Sequence, residues 1–152
     1  MNRKIWISII AAIILIFAIF TIASGSPTNP PVERQVEWDS PTTQELFYRA
    51  CADCHSNETK WPWYAKIPPS SWLVSHDVKE GREKFNISAR DLGEADEAAE
   101  AVLEEEMPMK IYLIMHPEAR LTTAERQTLA DGLRNTFGQE EYEHEGEEKD
   151  ND

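Results

Sequence analysis

Cys51-Ala52-Asp53-Cys54-His55 places two thiols three residues apart, with an imidazole directly after the second. In covalent c-type haem attachment the two thiolates add across the haem vinyl groups and the adjacent histidine reaches the iron. A dithiol redox pair shares the C-x-x-C spacing but calls for a preceding strand and a βαβ context, which the flanking residues do not supply. A zinc site would need His76 or His116 to join His55 and the thiolates. A disulfide across so short a loop would contribute little entropic stabilisation. Only two cysteines occur in 152 residues, which excludes a disulfide-dense scaffold and a four-thiolate zinc site. The motif therefore points first to one covalent haem c.

An iron held by His55 has a sixth position that sets its chemistry. A methionine thioether makes a high-potential electron carrier, a second histidine lowers the potential, and an empty position admits ligands or peroxide. Met107 leads the candidates, because Pro108 removes a backbone donor and stiffens the chain just after it, which suits a ligand on a loop. Met109, Met115, His116 and His76 are the alternatives. Met115 equally suits core packing, His116-Pro117 equally suits a turn, and His76 beside Asp77 reads as a surface position. Trp61, Trp63, Tyr64 and Trp72, interleaved with Pro62, Pro68 and Pro69, form a candidate aromatic wall along a porphyrin edge. Taken singly, each also fits a small hydrophobic core. Lys60 and Lys66 are solvated charges or propionate partners, and His144 reads as solvated.

The elements that must position these groups read as helices. A first helix starts at Ser40-Pro41 or Thr42 and carries Leu46, Phe47 and Ala50 into Cys51. A second covers residues 69–80 and stops at Gly81, and an acidic third covers residues 94–106 and stops at Met107-Pro108. The last opens on a capping box from Thr122 to Glu125, repeats Leu129, Leu133 and Phe137, and closes at Gly138. No stretch shows sustained strand alternation. Ahead of them, residues 5–23 are 19 consecutive residues without a charge, about 28 Å as a helix, the thickness of a bilayer core. Arg3 and Lys4 precede this run and no base follows until Arg34, so the N-terminus stays cytoplasmic and the rest is exported. A cleaved signal peptide is the alternative.

The chain therefore divides into a signal-anchor (residues 1–24), a Pro-rich tether (25–39), a haem domain (40–138) and an acidic tail (139–152). The 28 Asp and Glu against 15 Lys and Arg leave a formal charge of −13, which excludes a basic nucleic-acid binder. That charge is concentrated in residues 94–106 and in the tail. The acidic helix reads as a solvated face or as a steering surface for a basic redox partner.

CxxCHSNETKWPWY, then SSWLVSHDVKEGREKFN, then MPMKIYLIMHPEARLTTAER resembles, in that order, the bacterial haem-binding domain family of c-type cytochromes, usually membrane-anchored single-haem proteins. The resemblance implies haem on Cys51 and Cys54, iron on His55 and a distal ligand at Met107-Pro108. Met109 stands where members often have a second proline. The expectation is an all-α, cytochrome c-like domain around one covalent haem, anchored in the cytoplasmic membrane, facing the periplasm or cell exterior, and passing single electrons to an unassigned partner. The alternatives are a haem-based sensor or ligand binder with an open sixth position, a small peroxidase, and a haem-free thiol oxidoreductase.

Overall fold

The computed structural model describes residues 3–23 and 27–138, so the expected acidic tail at 139–152, His144 included, lies outside the described residues. Among the described residues there are seven α-helices and no strand, only an isolated antiparallel bridge between Phe85 and Gly93. The helices are α1 (Arg3–Ala23), α2 (Pro41–Ala50), α3 (Ala52–His55), α4 (Ser70–Lys84), α5 (Ala98–Leu103), α6 (Tyr112–Met115) and α7 (Thr123–Phe137). Short 3-10 turns at Trp63–Lys66 and Pro117–Ala119 precede α4 and α7.

Packing of α2, α5 and α7 makes the core, with Phe47, Val102, Leu129 and Leu133 almost completely buried. Ser40 caps α2 by accepting from the Thr43 N–H, with Pro41 in the first turn. α7 has the expected capping box from Thr122 to Glu125 and ends at Gly138. At Gly132 a Cβ would run into the Thr43 side chain, so a residue without one lets α7 lie close against α2. Trp38, Phe47, Phe85 and Phe137 close a cycle of ring contacts with centroids 5.0 to 5.8 Å apart, each adding to simple area burial.

Three expectations are revised. α4 does not stop at Gly81 but continues to Lys84, because the glycine serves a close helix contact rather than a terminus. α5 keeps only Ala98–Leu103 of the expected residues 94–106. Gly93, at φ 69°, turns the chain so that the Glu94 N–H reaches the Lys84 carbonyl. Glu105, at φ 62°, then closes the other end in the left-handed region. Residues 27–39 are non-helical, as a tether would be, but they are fastened to the body. Asn29 donates to the Thr59 carbonyl, Asn57 to the Pro31 carbonyl, and the Glu33 N–H to the Ser88 carbonyl, while Val36 and Trp38 pack on the core.

Helix α1 is 21 residues long, and its large apolar side chains from Ile5 to Ile19 are exposed. Among the described residues no helix is long and apolar enough to cross a membrane, so the structure alone does not place α1 in a bilayer. The expected membrane anchor therefore rests on the uncharged run at residues 5–23 of the sequence alone.

Two substitutions test these caps. The Thr122 backbone N–H, then Arg49 and the Thr122 hydroxyl, hold the Glu125 carboxyl below its ordinary 4.5, at about 2. A carboxyl held low in the fold adds stability that is complete above its unfolded pKa and is lost as pH falls through the folded one. Glu125→Gln is therefore expected to lower Tm at neutral pH, with the gap to wild type closing as pH falls from about 4.5 to about 2; a gap constant across that range would refute this. Glu105→Gly, which relieves a left-handed non-glycine residue, is expected to raise stability by about 0.5–1 kcal/mol in urea titration.

Candidate functional site

Cys51 sits at the junction of α2 and α3. Its N–H donates to the Phe47 carbonyl, and its own carbonyl accepts from the Cys54 and His55 N–H groups at 3.1 and 3.0 Å. One tight turn thus carries both thiols and the imidazole onto the wall of a cavity of about 520 Å³, within the usual size range of small-molecule and cofactor sites. Phe47, Ala50, Phe85, Val102 and Leu133 give the cavity apolar walls, and Met107, Pro108 and Met109 line it too.

His55 is oriented from behind. Its Nδ1 lies 3.0 Å from the Phe85 carbonyl, so Nδ1–H donates there and Nε2 keeps the lone pair, the tautomer a metal ligand requires. The Phe85 ring packs against the imidazole at 5.5 Å. Burial pulls the His55 pKa below its ordinary value, against the opposing pull of the Phe85 and Gly81 carbonyls, and favours the neutral ring. Burial also pushes both thiols up to about 12, so in the closed fold they are thiols rather than thiolates.

Asp53, inside the motif, accepts from the Lys60 N–H and from the Tyr112 hydroxyl, both at 2.9 Å. Tyr112 lines the cavity and tethers α6 to α3. Its hydroxyl pKa is raised by burial and by Asp53, so it remains a donor. Behind the motif, Asn57, Asn86 and Ser88 form a buried network of three hydrogen bonds of 2.9–3.0 Å, and the Ile87 N–H donates to the His55 carbonyl. Across the cavity, Arg126 of α7 donates to the Val102 and Met107 carbonyls at 2.7 and 3.1 Å and so holds the loop that presents Met107.

Of the other candidates, Met109 lines both this cavity and a neighbouring one of about 240 Å³, whereas Met115 and His116 line only the second. His116 is engaged at both nitrogens, by the Tyr64 hydroxyl at 2.8 Å and by Glu118 at 3.0 Å, and it stacks on Tyr112. It has no lone pair to offer a metal in this arrangement. His76 is exposed beside Glu80 and lines neither cavity. Trp61, Trp63 and Trp72 do not line the first cavity, and Tyr64 and Lys60 line the second. Trp61 instead donates to Asn29 and lies under the Arg82 guanidinium, while Trp63 is 72% exposed.

Carboxylates dominate the charged lining. Asp77, Glu80 and Glu83 of α4 meet Glu94, Glu97 and Glu106 around the same opening, so the acidic segment read along the chain is half of a two-sided rim. The Phe85 carbonyl, Asp53, Tyr112 and Arg126 were not identified as site residues from the sequence. Only Asp53, placed between the two cysteines, carried a positional signal.

A model of the haem-binding domain family matches residues 12–135. No curated protein and no solved structure matches the chain.

The α3–α4 contact is testable without any cofactor. A Cβ on Gly81 would lie 2.9 Å from the Cys54 Cβ and carbonyl oxygen, and the latter is backbone that cannot swing away. Gly81→Ala is expected to cost about 1–3 kcal/mol in urea denaturation and to speed reaction of Cys54 with a thiol reagent. If midpoint and reactivity match wild type, Gly81 does not set this spacing.

Proposed function

The chain belongs to the haem-binding domain family, and from that premise we propose that it is a membrane-anchored c-type cytochrome that carries one electron at a time outside the cytoplasmic membrane. The observation that supports this best is the convergence of Cys51, Cys54, His55 and Met107 on one apolar cavity. The donor set fits the group: two thiols for thioether bonds, a neutral imidazole with its lone pair on Nε2, and a thioether on a separate loop. Haem, when bound, supplies a one-electron ferric/ferrous couple.

The residues of the chain do the rest. Phe85 fixes the His55 ring through Nδ1, and Arg126 ties the Met107 carbonyl to the Val102 carbonyl of α5, so both side chains that would hold the iron are positioned before it binds. Phe47, Val102 and Leu133 give the cavity apolar walls. The rim carboxylates would favour the more positively charged oxidation state of a bound haem and so lower its potential, and they offer a basic partner protein a complementary field. The anchor in this reading rests on the sequence, on the uncharged run at residues 5–23, with Arg3 and Lys4 keeping its start on the cytoplasmic side.

Purified protein from a host with haem-attachment machinery should keep its Soret absorption through acid-acetone extraction; loss of that absorption would refute covalent attachment. The weak long-wavelength ferric band of methionine ligation should vanish in Met107→Ala and persist in Met109→Ala. The reverse pattern would move the ligand to Met109, and rapid carbon monoxide binding to the reduced wild type would favour the open-site ligand binder instead. Alkaline carbonate should leave the protein in the membrane fraction, and release would overturn the anchor.

A further inference from the structure

Outside α1, most exposed large apolar side chains belong to three neighbouring pieces of the body: the turn at Trp63–Lys66, the start of α4, and α6. Trp63 is 72% exposed and Ile114 70%, with Trp72, Leu73, Ile111 and Met115 about half exposed. The second cavity draws several of them together, and Trp72 adjoins Leu73 in α4. Leu73, Ile111 and Met115 line the second cavity, the Trp63 ring meets Tyr64 of that cavity at 5.7 Å, and Ile114 lies one turn beyond Ile111. A grouping of this kind on a small body marks a surface that something covers.

The position of the patch relative to α1 indicates the cover. Pro27 and Thr28 lie in a groove against Trp61, Ser75 and Lys79, and this groove shares Val78 with the second cavity. Trp72 is three residues before Ser75, one turn along the same face of α4. From Ala23, the end of α1, to Pro27 is four residues, a reach of at most about 14 Å. Whatever surface holds the end of α1 therefore lies within about 14 Å of the groove on α4 that holds Pro27. The side chains suit a lipid interface, where tryptophans concentrate at headgroup level and isoleucines reach the acyl boundary. Lys60 lines the second cavity, and exposed Lys66 and Lys110 lie close in sequence to Trp63 and Ile111; Asp53 and Asp77 line both cavities, whereas Glu80 and the carboxylates of residues 94–106 line only the first.

Resting on the anchored reading above, we infer that the face formed by Trp63, Trp72, Leu73, Ile111 and Ile114 lies on the same bilayer that holds α1, seated at the boundary of headgroups and acyl chains. The haem domain then does not float on its leash. It rides the membrane in one orientation, with the second cavity toward the lipid.

Nitroxide labels on the full-length, haem-loaded protein in vesicles of phosphatidylcholine and phosphatidylglycerol test this. Labels are placed at Trp63→Cys or Ile114→Cys on the patch, at Ile13→Cys in α1, and at Glu100→Cys, on the exposed side of α5, as the aqueous reference. The ratio of collisions with oxygen, which enters lipid, to collisions with a water-soluble nickel chelate should be several-fold higher at 63 and 114 than at 100, and highest at 13. Patch labels that match position 100 while position 13 reads as lipid would overturn the docked face and leave the anchor standing. A water-exposed label at 13 would overturn the anchored reading and this inference with it. Shielding at 63 and 114 that appears only at high protein-to-lipid ratio would mean a second copy covers the face, and would also overturn it.

Discussion

The hydrogen bond from His55 Nδ1 to the Phe85 carbonyl is the constraint through which the rest of the site is coordinated. Phe85 follows the last turn of α4, where its own N–H is satisfied by the Gly81 carbonyl and its ring joins the cycle with Phe47 and Phe137. Its backbone also makes the bridge to Gly93, from which the chain turns toward α5. The imidazole is therefore referenced to the hydrophobic core by a single residue, and a shift of α4 relative to α3 would misplace the ring, the aromatic cycle and the approach to α5 together. Such a carbonyl partner also fixes which nitrogen bears the proton, a choice the His55 sequence position alone leaves open.

Opposite ends of the site are held by different kinds of force. On the motif side, buried amides and hydroxyls of Asn57, Asn86 and Ser88 satisfy one another and the backbone. A satisfied polar cluster of this sort specifies one geometry, because any rearrangement strands a donor in an apolar setting. On the Met107 side, the control comes from one cation of α7 reaching two carbonyls. Around the mouth, like charges on α4 and residues 94–106 face one opening without a comparable number of cations, which costs some stability and keeps that opening hydrated and receptive to positive charge.

What was legible in the sequence was local. The Ser40 and Thr122 caps, the turn at Gly138 and the recurrence of Leu129 and Leu133 depend on residues within a few positions of one another, and they read directly. Gly81 misled because a glycine at a helix end and a glycine at a helix crossing look alike along the chain. Only the approach of Cys54 separates them. The acidic segment suggests a longer helix because alanine and glutamate favour one, yet the turn at Gly93 is set by the approach of Lys84 and the helix closes early at left-handed Glu105. Proximity to the motif makes the tryptophans look like a wall along a porphyrin edge, but contact depends on which way a turn faces, and Trp63 faces out. The Phe85 carbonyl had no side-chain signature at all.

Residues 27–39 carry a further consequence. Arg82 donates to Asn29 as well as to the Ser56 carbonyl and Thr59, and Trp38 completes the aromatic cycle, so this stretch behaves as an outer strap buckled over the segment that follows the motif. The autonomous folding unit accordingly begins near Pro27, upstream of the first helix of the body. A fragment trimmed to its helices would start at Ser40 and lose Trp38, Asn29 and the Pro31 carbonyl together, leaving Arg82 and Asn57 each short of a partner.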